Sequence, residues 1–426
     1  MNWSIIKHTN LEGLSKRPST NIHWALKLIF SGLVVAVILH SVYSFFGAGY
    51  PWNTFLFDPN DRFNDWFNSV DQATSNNPYH ATGPALATYF PASYVLFKIG
   101  FGLHGVFGKL IYLCVTAILF AGAFATINQS LFKNCSLPLY DKFALLILSI
   151  FSYPVLFSID RGNIDLWISL LCAIFIFSNA LKFEIVGVIA LSLAISFKGY
   201  PAAFLLLLLS ERKYLAFLTS VILAILLTLI PMVFMWDGFD SNLDGFIKNL
   251  HMYKEIYVIG HGSLFASSDP YNALRLLFFS LFGIEKEVSE SVYHFYKYFS
   301  AIFAIVISVY VLFVQKTKWK KIIAVSILAI LFPYVANDYK LCMLLPGFYM
   351  LIFENLEIKK NKYIFLSICL LLIPKSFFFI HGKSVSMVIN PIILSWLVFL
   401  VVHDSESWRY FFKNVLNTKR NLLGRK

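Results

Sequence analysis

Asp65 is the residue whose type and surroundings most strongly suggest proton chemistry. It lies in Phe63-Asn64-Asp65-Trp66-Phe67, where aromatic side chains flank a single carboxylate. Aromatic neighbours desolvate a carboxylate, which raises its basicity and suits it to accept a proton. The alternative is an acid on a wet loop or at a helix N-terminus, since three other acids lie nearby, namely Asp58, Asp61 and Asp71.

Arg161 and Lys198 are the two cations best placed to bind an anion. Arg161 lies between two apolar runs, in a short polar segment over 158–165, and a guanidinium binds phosphate through paired hydrogen bonds. Lys198 begins Lys198-Gly199-Tyr200-Pro201, which interrupts another apolar run. A charge so close to hydrocarbon needs an anion, which is either a ligand or a carboxylate of the protein. For Arg161 that carboxylate would be Asp160 or Asp165.

Weaker candidates share a position at the outer ends of apolar runs. They are His261, Asn272, Arg275, Asp338, Lys340, His381 and Lys383. Each of them alone is better explained as an ordinary loop residue. Together they place many cations and a few carboxylates on one membrane face, which suits an enzyme that handles a lipid phosphate at the outer leaflet.

The elements that position these residues follow from composition. Of 426 residues, 58% are hydrophobic and only 14% are charged, whereas soluble domains carry about 25% charged residues. Such a chain cannot cover a water-soluble globule, so a soluble enzyme and a secreted disulfide scaffold are excluded. The net charge of +12 fits the basic cytoplasmic loops of a membrane protein, so no nucleic-acid partner is expected. The cysteines form no C-x-x-C pair, and neither a metal nor a cofactor is predicted.

Apolar runs long enough to cross about 30 Å of hydrocarbon predict an all-α polytopic membrane protein. The clear spans are 24–46, 109–127, 143–159, 163–181, 214–236, 295–315, 363–380 and 385–402. Two further runs, 185–209 and 322–353, are interrupted by polar residues and have basic residues on both flanks. Because basic flanks lie on the cytoplasmic side, each run is interpreted as a hairpin of two short helices with a sunken tip. About twelve membrane segments result, with both termini cytoplasmic.

The whole chain, 1–426, is predicted to form one integral membrane domain. Its parts are the cytoplasmic N-terminus 1–23, the first outer loop 47–108 with an amphipathic, interfacial stretch over 94–107, the second outer loop 237–294, and the basic cytoplasmic tail 403–426. Short helices are expected in the second outer loop at Asn242–Ile256 and Pro270–Leu281. The tail is interpreted as an anchor on anionic membrane lipids.

The order of the motifs resembles glycosyltransferase family 87. The Asp-aromatic segment is followed by Asn77-Pro78-Tyr79 and Tyr89-Phe90-Pro91, as in the first outer loop of that family. The stretch Asp160-Arg161-Gly162-Asn163-Ile164-Asp165-Leu166 is similar to the family's Arg-Gly-Asn/Gln-x-Asn-Leu, and Lys198-Gly199-Tyr200-Pro201 to its Lys-x-x-Pro. The resemblance extends with gaps from about residue 60 to residue 350.

The resemblance implies a GT-C-like membrane fold and transfer of a hexose or pentose from a polyprenyl-phosphate donor. The acceptor would be a glycan or glycolipid on the extracytoplasmic face of the cell (inner) membrane. Asp65 would be the general base, and the donor phosphate would be bound by Arg161 and Lys198 with Arg275 or Lys340 as helpers. Residues expected near the acceptor or sugar are Tyr79, Tyr89, Asn163, His261 and Asp338. Two positions depart from the family pattern, Asp165 in place of Asn and Tyr200 in place of a smaller residue, and they bear on sugar identity.

Two other classes of function remain open on the residues alone. One is a polymerase or flippase of lipid-linked glycans, and the other is a solute transporter. The chain has no Walker A or H-E-x-x-H motif, so nucleotide-driven pumping and zinc proteolysis lack support. Acids inside the apolar runs are scarce, which disfavours an ion-coupled transporter. A single base opposite a phosphate leaving group favours inversion at the anomeric carbon. The expected pathway is synthesis of a surface polysaccharide such as O-antigen or capsule.

Overall fold

The structure is a computed structural model in which helices dominate. It describes residues 16–47, 56, 62–81, 86–101, 106–131, 138–178, 184–260, 269–282, 285–331, 333–354, 361–375, 379–380, 383–403 and 407–413. The prediction of an all-α chain holds apart from two short strands, β1 (Phe379–Ile380) and β2 (Lys383–Ser384), which pair antiparallel.

The α-helices are numbered in chain order through the described residues. They are α1 (Lys16–Phe45), α2 (Asn64–Thr74), α3 (Pro91–Phe101), α4 (Val106–Leu131), α5 (Leu139–Phe151), α6 (Tyr153–Arg161), α7 (Asp165–Ser178), α8 (Glu184–Phe197), α9 (Leu205–Ser210), α10 (Tyr214–Phe234), α11 (Phe239–Tyr253), α12 (Pro270–Phe282), α13 (Glu285–Val309), α14 (Lys318–Leu331), α15 (Leu345–Glu354), α16 (Lys362–Leu371), α17 (Ser386–Val402) and α18 (Ser407–Lys413). Shorter 3₁₀ turns lie at Pro78–His80, Tyr200–Phe204 and Asp338–Leu344, and π-helical turns at Lys254–Ile259 and Tyr310–Val314.

Four helices in the described part of the chain are long and apolar enough to cross a membrane. They are Thr20–Phe45, Phe107–Leu131, Tyr214–Phe234 and Glu290–Val314. Two bent pairs, α5 with α6 and α17 with α18, raise the number to six if each pair is one span. Large apolar side chains on these helices are exposed, as a lipid-facing surface requires. The expectation of a membrane protein built from helices is therefore confirmed.

One expected span, 143–159, is a broken helix in the structure. Helix α5 ends at Phe151, and α6 begins at Tyr153 at an angle of 53°. Ser152 has an extended backbone, and Pro154 lies in the first turn of α6. Proline lacks an N–H and so cannot continue the hydrogen bonds of α5, but it is well suited to start a new helix. The bend therefore sets the direction of α6, which ends at Arg161.

Both hairpin runs are interrupted where the sequence predicts. The first consists of α8, the 3₁₀ turn Tyr200–Phe204 and α9, and its break contains Lys198. The second consists of α14, the 3₁₀ turn Asp338–Leu344 and α15. The expected span 363–380 is shorter than predicted, because α16 ends at Leu371 and β1 occupies its distal end.

Helix α7 lies at the centre of the bundle. Nearly all of its residues are buried, and it packs between α4 and α8. A helix that is apolar on every side is stable only when other helices surround it. Since Asp165 is the first residue of α7, this packing places a carboxylate inside the protein.

The helices expected within residues 237–294 are confirmed. Helix α11 and its π-helical turn cover the predicted Asn242–Ile256, and α12 covers Pro270–Leu281. The predicted amphipathic stretch 94–107 is partly occupied by α3, whose Tyr94 and Phe97 are buried. Helix α3 packs against α2.

Candidate functional site

The turn between α6 and α7 places three polar side chains in a short stretch of chain. Helix α6 ends at Arg161, and Gly162 follows with φ of +62°. Asn163 Oδ1 then accepts a hydrogen bond of 2.8 Å from the backbone N–H of Asp165. A side-chain cap of this kind satisfies one of the free N–H groups at a helix N-terminus and fixes where the helix begins. Arg161, Asn163 and Asp165 are therefore held in a defined order.

Helix α2 packs against this turn, and the residue before the helix is hydrogen-bonded to it. The backbone N–H of Phe63 donates to the carbonyl of Asp160 at 2.6 Å. Trp66, one turn further along, is buried and packs against the rings of Tyr112 and Trp167. A Cβ on Gly162 would lie 2.6 Å from the Cβ of Trp66. This close approach brings Asp65 next to the α6–α7 turn.

Asp65 is held by two donors and remains partly accessible. Its Oδ1 lies 3.0 Å from Arg161 Nη2, and its Oδ2 accepts a 2.6 Å hydrogen bond from Asn163 Nδ2. The side chain is 22% exposed. Burial raises the pKa of Asp65 to about 6, and Asn163 and the Lys198 charge oppose that rise. A carboxylate with this pKa is ionised at neutral pH and is a stronger base than an ordinary Asp.

A second ion pair lies beside the first. Lys198 Nζ is 2.8 Å from Asp165 Oδ1, and the Tyr200 hydroxyl donates to the same oxygen at 2.9 Å. The Lys198 ammonium also lies 4.4 Å from the centre of the Tyr89 ring, a cation–π contact. The break between α8 and α9 thus brings Lys198 to the N-terminus of α7.

Lys340 reaches the same region from the second hairpin. Its Nζ lies 5.0 Å from the centre of the Tyr200 ring and donates to the carbonyl of Val335 at 2.8 Å. The neighbouring N–H of Ala336 donates to Asp269 Oδ2 at 3.2 Å. The tips of both hairpins therefore contribute cations to one region, as the sequence predicts.

Residues 77–81 and 86–89 pack against residues 237–249 around Tyr79. The Tyr79 hydroxyl donates to the carbonyl of Tyr89 at 3.1 Å. Asn249 on α11 donates to the carbonyl of Tyr79 at 3.0 Å. Asn77 donates to Asn242 Oδ1 at 2.8 Å and to Asp237 Oδ2 at 2.7 Å. Tyr79 is buried in this contact, so its hydrogen bond holds the backbone of Tyr89 from the interior of the protein.

Two of the expected site residues contact other parts of the protein. The buried Arg275 donates to the carbonyls of Ile259 and Gly260 at 2.7 and 2.6 Å. Asp338 is fully buried and accepts a 3.0 Å hydrogen bond from Asn390 on α17. His261 lies outside the described residues, as does His381. The roles expected of Arg275, Asp338 and His261 stay predictions.

Asp165 and Tyr200 join the network although the sequence did not single them out as site residues. The sequence offers Asp165 as a possible partner of Arg161 and marks both residues as departures from the family pattern, but a buried ion pair with Lys198 cannot be identified from spacing alone. In the described ranges, no group of three His, Cys, Asp or Glu side chains lies close enough to hold a metal ion. The expectation of a reaction without a metal or cofactor stays a prediction.

The chain belongs to glycosyltransferase family 87. The family model matches residues 84–336, which is more than half of the chain. Arg161, Lys198 and Arg275 fall inside the matched range, whereas Asp65 and Lys340 fall outside it. A comparison with curated proteins finds no match. Family membership and the apolar helices together define a membrane glycosyltransferase.

Proposed function

We propose that the protein transfers a hexose or pentose from a polyprenyl-phosphate donor to a glycan or glycolipid acceptor. The observation that supports this proposal is the pair of adjacent ion pairs, Asp65 with Arg161 and Asp165 with Lys198, at 3.0 and 2.8 Å. A sugar-phosphate transferase needs a base for the acceptor hydroxyl and cations for the leaving phosphate. Both requirements are met within one connected network.

Asp65 acts as the general base in this proposal. Its carboxylate is fixed through both oxygens, and its partial exposure leaves a side open to an acceptor hydroxyl. The acceptor oxygen attacks the anomeric carbon as its proton passes to Asp65. The bond from that carbon to the phosphate oxygen breaks, and its electron pair leaves with the polyprenyl phosphate. Attack opposite the leaving group inverts the anomeric configuration.

The cations stabilise the negative charge that develops on the phosphate. Arg161, Lys198 and Lys340 supply three positive charges, and Asp65 and Asp165 supply two negative ones. Asp269 adds a further negative charge near Lys340, and the donor, a phosphodiester, carries a single negative charge. Fixed cations in a site that excludes water stabilise a leaving phosphate strongly, because they need not reorient during the reaction. Tyr89 and Asn163 are proposed to border the sugar, and the buried Tyr79 is proposed to act through Tyr89, whose carbonyl accepts its hydrogen bond. Arg275, Asp338 and His261 are retained as further candidates.

The proposed architecture is a GT-C-like bundle of about twelve membrane segments in one integral domain. Both termini are cytoplasmic, and the site faces the periplasm or exterior of the cell (inner) membrane. The excess of basic residues in the loops assigned to the cytoplasm supports this orientation. The proposed pathway is synthesis of a cell-surface polysaccharide. No nucleic-acid partner or cofactor is required.

Mass spectrometry tests the proposal. The purified protein in lipid nanodiscs is incubated with synthetic polyprenyl-phosphate hexoses and pentoses and with extracted membrane glycolipids as acceptors. A glycosylated acceptor, formed from the lipid donor and not from nucleotide sugars, is the expected result. Glycolipids of cells with and without the protein should differ by the same sugar. Solute exchange into sealed vesicles with no glycosidic product would contradict the proposal and favour a transporter.

A further inference from the structure

We propose that Asp165 is a positioning residue that holds the Lys198 ammonium in the site and adjusts the basicity of Asp65 through its own charge. The inference rests on the proposed function, since it assigns Asp65 as the base. It concerns a carboxylate that touches neither the acceptor nor the donor in that proposal. Its influence is transmitted through Lys198 and through the electrostatic field at Asp65.

Asp165 is buried and is held by contacts from two side chains and from its own backbone. The side chain is fully buried, and its Oδ1 receives both Lys198 Nζ at 2.8 Å and the Tyr200 hydroxyl at 2.9 Å. Its backbone N–H is fixed by Asn163, the residue that also donates to Asp65. Asn163 therefore links the carboxylate of Asp65 to the backbone of Asp165 at the start of α7. A shift of the first residue of α7 is transmitted to Asp65 through this one side chain.

The two carboxylate oxygens of Asp165 differ in their contacts. Oδ2 is buried and accepts no hydrogen bond from the part of the chain that the structure describes. A buried carboxylate oxygen without a protein donor is costly, so the contacts of Oδ1 carry most of the stabilisation of this charge. The negative charge of Asp165 is therefore balanced mainly by Lys198. That balance makes it sensitive to whatever binds the same ammonium.

Donor binding would change this balance. A phosphate that approaches Lys198 competes with Asp165 for the ammonium, so part of the negative charge of Asp165 is then exposed to Asp65. A like charge raises the pKa of a carboxylic acid and makes its carboxylate more basic. Asp65 would thus become a stronger base when the donor phosphate is in place.

The charges that face Asp65 come from several elements. Arg161 on α6 lies at 3.0 Å, Lys198 from the hairpin tip lowers the pKa of Asp65, and Asp165 on α7 raises it. Electrostatic coupling with Asp65 also reaches three tyrosine hydroxyls, those of Tyr89, Tyr112 and Tyr339. Replacing Asp165 by Asn removes one charge from this set and nearly preserves shape. The matched control, Tyr200→Phe, removes a hydrogen bond to the same oxygen without removing a charge.

The pH dependence of kcat/KM distinguishes positioning from a structural role. We expect Asp165→Asn to move the acidic limb to lower pH by about 0.5 unit or more, the size expected of one nearby like charge in a partly buried site. It should also raise the donor KM more than tenfold, because Lys198 loses its anchor. Tyr200→Phe should leave the limb within about 0.2 unit of the wild type. An unmoved limb in Asp165→Asn, with only a lower melting temperature, would overturn the inference.

Infrared titration supplies a readout that does not depend on transferase activity. The carbonyl band of protonated Asp65 is identified in nanodiscs by subtracting the spectrum of Asp65→Asn. Its midpoint should fall in Asp165→Asn and rise in Lys198→Met, because the two variants remove opposite charges. Equal midpoints in wild type and Asp165→Asn would refute the inference even if transfer is observed. The expected shifts without any glycosyl transfer would refute the proposed function alone.

Discussion

Asp65 lies 3.0 Å from Arg161 although 96 positions separate them in the chain. The contact joins helix α2 to the end of the bent helix α6. It depends on the hydrogen bond from Phe63 to Asp160 and on the missing side chain of Gly162. A residue with the chemistry of a base is thereby fixed against a residue with the chemistry of a phosphate ligand.

The pH dependence of transfer follows from the environment of Asp65. Its pKa is raised from 3.8 to about 6 by burial. A general base works only when it is unprotonated, so kcat/KM should fall as the pH drops through about 6 and level off above about 7. Measurement of initial rates from pH 4.5 to 8.5 at low donor concentration checks this. An acidic limb of kcat/KM with its midpoint near pH 4, the pKa of an ordinary Asp, would contradict the assignment.

Arg161 and Lys198 are expected to control use of the donor. Arg161→Ala and Lys198→Ala should each lower kcat/KM for the donor about 100-fold or more, because a charged hydrogen bond to phosphate is lost near the membrane. Arg161→Lys should recover only part of the loss, since an ammonium cannot form paired hydrogen bonds. Kinetics at varied donor concentration test these values. Unchanged donor kinetics in both alanine variants would refute the role.

Gly162 is expected to tolerate no side chain. In Gly162→Ala the new Cβ would meet Trp66 Cβ at 2.6 Å and Phe63 Cδ1 at 2.9 Å. The clash and the positive φ should cost about 1–3 kcal/mol or displace α2 from the site. Activity should fall together with the melting temperature.

Gly47→Ala is the matched control for this substitution. Gly47 also has a positive φ, +71°, but nothing lies within 4 Å of its Cβ position. It isolates the backbone strain from the contact with α2. If Gly162→Ala and Gly47→Ala have the same melting temperature and the same activity, packing of α2 against the α6–α7 turn is not what positions Asp65.

Arg275 and Lys340 should behave differently when each is replaced by Met. Arg275 donates to two backbone carbonyls at the end of the π-helical turn, so its loss should lower the melting temperature by several degrees. Lys340 lies beside Tyr200 and donates to one backbone carbonyl, that of Val335, so its loss should raise the donor KM several-fold with a smaller loss of stability than in Arg275→Met. Thermal melts and donor kinetics on both variants provide the comparison. The reverse pattern would assign the phosphate contact to Arg275.

Sequence reasoning located the breaks in the helices better than the contacts between them. The polar residues around Lys198 and Lys340 interrupt apolar runs, and such interruptions are visible locally. The bend before Pro154 was missed because the run over 143–159 carries no charged residue, although Ser152 and Pro154 mark the break locally. The pairing of Lys198 with Asp165 was missed because a lysine near hydrocarbon predicts an anion without saying which one. That choice depends on the packing of α8 against α7, which no local pattern specifies.

The most direct test compares transfer by the wild type with that by Asp65→Asn and by Asp71→Asn. Asn keeps the shape of the carboxylate but cannot accept the acceptor proton at neutral pH. Asp71, an exposed acid on the same helix, is the matched control. With a polyprenyl-phosphate sugar that the wild type uses, kcat should fall at least about 1,000-fold in Asp65→Asn, within the range of general-base catalysis and charge loss, and stay within about twofold of the wild type in Asp71→Asn. Both proteins should melt and bind the donor as the wild type does. Full transfer activity in a folded Asp65→Asn protein would contradict the assignment of Asp65 as the catalytic base.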